Sequence, residues 1–176
     1  YPFILAIGGN TQSGKSTFST YLKLFLQKRD IDVLKIELDD WILPKDRRKV
    51  LHDVLHNFQH DKLTSDLKRI LKGGMIELEG YNRIYGNKPI PAQYIHSQEK
   101  VIIIEGVIGL ALNYLRDVAD LRIYKEISDE DHYKRVKQYY AWKGYSKSQT
   151  ETQYEERRKT EYEFIKTTKK YANMIV

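Results

Sequence analysis

The chain contains no cysteine, so no disulfide framework or thiol chemistry is available to it, and a reducing compartment is permitted. Long apolar runs are also missing. The longest, Val101–Ile104, is strand-sized, far short of the roughly 20 residues a membrane-spanning helix requires. No secretory signal follows the opening Tyr1-Pro2, so the expected location is the cytoplasm, without a membrane partner. Nor is there a long basic run. The net charge is +6, but 30 Lys and Arg are interspersed with 24 Asp and Glu. That mixture argues against nucleic acid as a partner and for a polyanion site among solvated lysines. No internal repeat, low-complexity tract or linker divides the sequence.

What remains is a 176-residue chain, 41% hydrophobic and 12% aromatic, which can bury a core as one domain over residues 1–176. Strand signals alternate with helical ones. Phe3–Ile7 is a continuous apolar run, as in a strand buried on both faces. Gly8–Gly14 is glycine-rich, and Phe18, Tyr21, Leu22 and Phe25 recur at helical spacing through about Lys28. Val33–Leu38 reads as a second strand, Leu63–Leu71 as a helix stopped by Gly73-Gly74, and residues 75–90 as a small hairpin. Val101–Ile104 and Leu121–Tyr124 are further strands. Helices are expected from Asp129 and over Glu151–Tyr171, and Met174-Ile175-Val176 looks like the start of a strand with chain to follow. The alternation predicts an α/β fold, a parallel sheet with helices on both faces. Ligands bind beyond the carboxyl ends of such strands. Three polar clusters fall there: Gly8–Thr17, Asp39-Asp40 and Glu105-Gly106.

Gly9-Asn10-Thr11-Gln12-Ser13-Gly14-Lys15-Ser16 fits G-x-x-x-x-G-K-[ST], between a strand and a helix, the context that gives this motif meaning. Glycines let successive N–H groups turn inward toward phosphate oxygens. The helix adds its free N–H groups and the positive end of its dipole. Lys15 supplies a mobile charge for the β- and γ-phosphates, Ser16 a hydroxyl for Mg²⁺, and Thr17 a further donor. ATP and Mg²⁺ are the cofactors this implies. Asp39, ending the second strand, can sit near the γ-phosphate and accept the proton of an attacking hydroxyl. The alternative is that Asp39 and Asp40 cap a turn; of the two, Asp39 is the favoured base. Glu105 ends a buried strand in the Walker-B position, suited to a magnesium-bound water. No N-K-x-D base-specificity signature of G proteins is present.

With these residues placed, the chain resembles the uridine kinase/phosphoribulokinase family of P-loop kinases nearly end to end. Gly8-Gly9 to Thr17 looks like the family loop, Asp39-Asp40-Trp41 like its D-[DS]-F segment, and Asn57-Phe58-Gln59-His60 like N-F-D-H. Ile104-Glu105-Gly106 is similar to F-E-G, Gln153-Tyr154 to its Q-Y pair, and Thr168–Asn173 to T-K-K-Y-A-D. The resemblance implies a P-loop kinase fold with a lid over about 132–150, a hairpin covering the substrate, and assembly into oligomers. It also implies that Asp39, Trp41, Gln59, Tyr81, Arg83 and Gln153 meet a small-molecule hydroxyl acceptor, with Lys15, Asp39 and Arg135 catalytic. Arg135 and Lys143 would close over the transferring phosphoryl group.

The departures matter as much. Gln59 replaces the aspartate that holds ribose hydroxyls, and Gly86 falls where a histidine would read a pyrimidine, so uridine itself is weakly supported and a more anionic acceptor becomes attractive. The lid keeps Arg135 and Lys143 but has Gln138-Tyr139 and Tyr145 where other arginines would stand, which predicts a slower enzyme or one whose missing charge is supplied elsewhere. His52, His56 and His60 recur every four residues, yet lack the partners of a metal site. Arg47-Arg48-Lys49 reads first as a surface patch and second as a contact for an anionic substrate. Three readings compete: a uridine-type nucleoside kinase, a kinase for a sugar, sugar phosphate, glycerate or pantothenate-like acceptor, and a nucleotide-binding regulatory domain.

Overall fold

A computed structural model describes residues 1–48, 53–80, 90–96 and 98–176. Tyr81, Arg83 and Gly86, expected over the acceptor, lie outside the described residues, as do Lys49 and His52.

β1 (Phe3–Gly8) is the centre of a five-stranded parallel sheet ordered β2-β5-β1-β6-β7. Its neighbours are β5 (Val101–Glu105) and β6 (Leu121–Tyr124); β2 (Val33–Glu37) pairs outside β5, and β7 (Met174–Ile175) outside β6. The runs read as two-face-buried strands are that. Leu5, Ile7, Val33, Ile103 and Ile123 face one side, where they pack on α1 (Lys15–Gln27). Ala6, Ile36, Ile102 and Ile104 face the other, under α2 (His60–Leu71), α3 (Asn113–Val118) and α6 (Glu163–Thr167). Helices therefore cover both faces, as the strand–helix alternation predicted.

Three local expectations change. The buried stripe of α1 is Phe18, Leu22 and Leu26, spaced at i, i+4 and i+8, while Tyr21 and Phe25 are 70% and 51% exposed. Two of the aromatics assigned to the inner face thus lie on the outer one, with the Arg29 guanidinium 3.6 Å over the Phe25 ring. The segment 54–57 is a turn and His60 opens α2, so His56 and His60 do not share a helix face. The final helical stretch starts earlier than Glu151. Ser146 and Gln149 form a reciprocal capping box that launches α5 (Lys147–Arg157), which runs through a π-helical turn (Arg158–Tyr162) into α6.

β3 (Met75–Gly80) and β4 (Ile90–Ile95) form a separate antiparallel pair. α4 (Asp129–Trp142) and α5 form a helical hairpin with its own core of Val136, Tyr140, Tyr154 and Tyr162. No helix among the described residues is long and apolar enough to cross a membrane.

Candidate active site

The parallel register brings Ile7, Glu37 and Glu105 side by side, so the segments leaving β1, β2 and β5 open at one rim. The loop after β1 bends tightly there. Gly9 has φ 138°, and a Cβ on it would lie 2.4 Å from the Lys125 carbonyl oxygen, so only glycine fits. Gln12 and Gly14 also take positive φ, and Gly14 serves as the N-cap of α1. The Asn10 carbonyl accepts from the Ser13 N–H at 3.2 Å and from Lys15 Nζ at 2.7 Å. Lys15 is thereby folded against its own loop and nearly buried.

A cleft of about 650 Å³ lies over this rim. It is lined by Thr11, Gln12, Lys15 and Ser16 of the loop and α1, by Asp39, Glu105 and Gly106 at the strand ends, and by Lys143, the residue capping α4, with Gln153 and Arg157 of α5. Lys15, Asp39, Ser16, Glu105, Lys143 and Gln153, separately expected from sequence, thus face one space. Arg135 stands beside it: Nη1 reaches the Gln12 carbonyl at 3.4 Å.

Two other expected contacts lie elsewhere. Trp41 has no exposed surface; its indole N–H donates to Asp66 at 2.8 Å and its ring stacks on Tyr94, so it is core and not a cleft wall. Gln59 is the N-cap of α2, with its N–H on the Trp41 carbonyl, and does not line the cleft; Asn57, two residues earlier, does.

The acidic pair is sorted by a distant residue. The Tyr94 hydroxyl donates to Asp40 and accepts the Glu37 N–H at 3.2 Å. Burial and the Asp40 carboxylate push the Tyr94 hydroxyl well above its ordinary range, so it remains a donor. Asp40 is tied to the β3–β4 pair, and Asp39 faces the cleft.

Glu105 is 3% exposed. Burial raises its carboxyl, the Ser16 hydroxyl and the Lys15 charge pull it down, and Asp39 and Glu37 push it up. Its Oε1 is buried without a hydrogen-bond partner among the described residues, with Lys35 Nζ at 3.8 Å. A carboxylate short of one partner, beside a serine hydroxyl and a second carboxylate, fits Mg²⁺, which takes one or two carboxylates and completes its shell with water and phosphate. Among the described residues no set of three or more His, Cys, Asp and Glu side chains forms a metal cage.

Sequence reasoning missed several members. Lys35, 13% exposed, bridges Glu37 at 2.8 Å; a lysine inside an apolar strand was its only signal. His132 is buried, and its Nε2 lies 3.0 Å from the Thr11 carbonyl, so the Nε2–H tautomer donates and pins α4 to the loop. Arg157 binds Glu161 through two nitrogens and donates to the Tyr140 hydroxyl at 2.8 Å.

A glycine-rich strand-to-helix loop, a lysine and serine at its end, and a carboxylate on each of two flanking strand ends occur together here. The sequence profile of the phosphoribulokinase/uridine kinase family matches residues 4–176. The chain belongs to that family. Its relatives are small-molecule kinases. A uridine kinase of Brevibacillus brevis is 27% identical over 184 residues, covering 99% of this chain and 84% of the relative. Among solved structures, a possible uridine kinase from Bacillus stearothermophilus superposes with TM-score 0.70 at 20% identity, over 99% of this chain and 88% of the other. Phosphoribulokinase from Rhodobacter spheroides gives TM-score 0.72 at 16% identity, over 97% and 68%. At these identities the structures share the family's fold, whatever their acceptors.

Proposed function

We propose that this kinase transfers the γ-phosphoryl group of ATP to a hydroxyl of a small metabolite in the cytoplasm, with Asp39 as the base. The observation that carries the reading is that Lys15, Ser16, Asp39 and Glu105 line one cleft at the rim of a parallel sheet. The loop amides and Lys15 hold the phosphates, and Asp39 orients the acceptor hydroxyl and takes its proton. Ser16 and Glu105 would hold Mg²⁺, which supplies neutralisation of charge on the β- and γ-phosphates. The α4–α5 hairpin acts as the lid. Lys143 and Gln153 reach the cleft from it, Arg135 braces the loop from outside, and the closed lid excludes water that would otherwise hydrolyse ATP.

Gln59 stands in the N-F-Q-H segment where a charged acceptor for ribose hydroxyls would be, and its backbone caps α2 away from the cleft. That favours a non-nucleoside acceptor over uridine.

The test is ATP consumption across nucleosides, polyols, sugar phosphates and hydroxy acids. Turnover on one acceptor class, abolished in both Lys15→Met and Asp39→Ala, is the expected result. Nucleotide binding with no turnover on any acceptor would overturn it in favour of a regulatory domain.

A further inference from the structure

We infer that Lys35 is a positioning residue for the divalent cation: its ammonium, lodged between Glu37 and Glu105, offsets the carboxylates of the rim so that they hold the metal only together with the nucleotide's phosphates. This rests on the kinase reading above, which puts Mg²⁺ at Ser16 and Glu105.

Three carboxylates meet at this rim. The register sets Glu37 of β2 beside Glu105 of β5, and Asp39 follows in the 3₁₀ turn Leu38–Trp41. Burial, and after it the charges of Asp39 and Glu37, act against an ionised Glu105, while Ser16 and Lys15 favour it. Left to itself, such a group would attract a divalent cation with or without ATP. Two lysines offset it, and their places differ. Lys15 belongs to the phosphate loop and lines the cleft, where a bound triphosphate engages it; Lys35 does not line the cleft.

Lys35 sits in a costly position. Val33, two residues earlier on β2, lies in the core under α1, and strand alternation puts Lys35 and Glu37 on that same side. An ammonium there needs compensation. It donates to Glu37 Oε1 at 2.8 Å and to the Thr20 hydroxyl at 3.3 Å. Thr20 stands one turn of α1 beyond Ser16, so the same side chain ties β2 to the helix that presents the serine. Glu37 and Thr20 would satisfy a strut. Lys35 Nζ also lies 3.8 Å from Glu105 Oε1, the oxygen without a hydrogen-bond partner among the described residues. At that separation it acts on Glu105 by charge and leaves the oxygen's lone pairs unused.

A fixed positive charge beside Glu105 weakens the pull of the empty rim on a second cation. The phosphates of ATP then add the negative charge and the oxygen ligands that the rim alone withholds. Lys15 turns to those phosphates, and Lys35 stays with the two glutamates.

The experiment uses Mn²⁺, which prefers the same oxygen ligands as Mg²⁺. It is titrated into the full chain and the free ion is counted by electron paramagnetic resonance, first without nucleotide and then with a non-hydrolysable ATP analogue. The unaltered protein should hold Mn²⁺ weakly alone and tightly with the analogue. Lys35→Met should bind Mn²⁺ about tenfold or more tighter without nucleotide. Lys35→Arg should match the parent, and Lys35→Met/Glu105→Gln should lose the gain. Lys35→Gln carries the same test if the methionine variant does not fold. A mere strut would shift the melting temperature of Lys35→Met and leave its nucleotide-free Mn²⁺ affinity unmoved. That result overturns the inference, as does a gain shared by Lys35→Arg or one that persists in the double variant; none of these touches the kinase reading. An unaltered protein that takes up no Mn²⁺ even with the analogue would defeat that reading, and this inference with it.

Discussion

Glu161→Gln should cost about 3 kcal/mol of stability, and the reason lies in what it leaves behind. Glu161 is 7% exposed and the Arg157 side chain 22%. The guanidinium meets the carboxylate at 2.6, 2.8 and 3.1 Å and donates to the Tyr140 hydroxyl at 2.8 Å. Removing one partner of a buried pair costs about 3–5 kcal/mol, because the other charge stays desolvated and uncompensated. Glutamine keeps one acceptor, which places the loss at the lower end of that range. Removing both charges, in Arg157→Met/Glu161→Leu, deletes the desolvation penalty along with the attraction. That variant should return to within about 1–2 kcal/mol of the unaltered protein, the residue being the donor lost to Tyr140. Turnover should not return with it, since Arg157 lines the cleft. Urea unfolding followed by circular dichroism gives the three stabilities, and ATP consumption gives the activity. A Glu161→Gln protein within about 1 kcal/mol of the parent, or a double variant less stable than the single, would refute this account.

Tyr94→Phe removes the donor to Asp40 and the acceptor of the Glu37 N–H. It should cost about 2–3 kcal/mol in urea unfolding and lower kcat more than nucleotide affinity, as Asp39 loses its neighbour's anchor. His132 gives a pH test. Burial holds its imidazole below the ordinary value of 6.5, against opposing contributions from Thr11, Asp129 and Glu161 and a reinforcing one from Arg157. The unfolded chain therefore binds the proton first. The stability this residue confers is complete above about pH 6.5 and lost as pH falls through the lower folded value. His132→Gln should flatten the urea midpoint against pH across that window.

The phosphate loop was legible because its chemistry is local: glycines, lysine and serine act within nine residues of one another. The strands were legible because two-face burial writes a continuous apolar run. What was less legible depends on distance or on rotation. Asp39 is the favoured base over Asp40, and it does line the cleft, but nothing adjacent to the pair explains the choice: Asp40 is held by Tyr94, 54 residues away. Trp41 could be read equally as a pocket wall or as core, and what decides for core is its indole partner Asp66, on α2. On α1 the aromatics Tyr21 and Phe25 mark the wrong face, since Leu22 and Leu26 fit the same period equally well. Arg48 lines the cleft and Arg47 does not, a difference that nothing in two adjacent arginines announces.

The parallel sheet also has a second rim. Phe3 N–H donates to Lys100, Lys100 N–H to Asp32, and Asp120 N–H to Ile4, so the turns that enter the strands gather at the edge remote from the loop. Strands of five residues put about 17 Å between the two rims. A fluorophore or affinity handle placed near Asp30 or Asp120 would therefore ride on the kinase without sharing space with either the nucleotide or its acceptor.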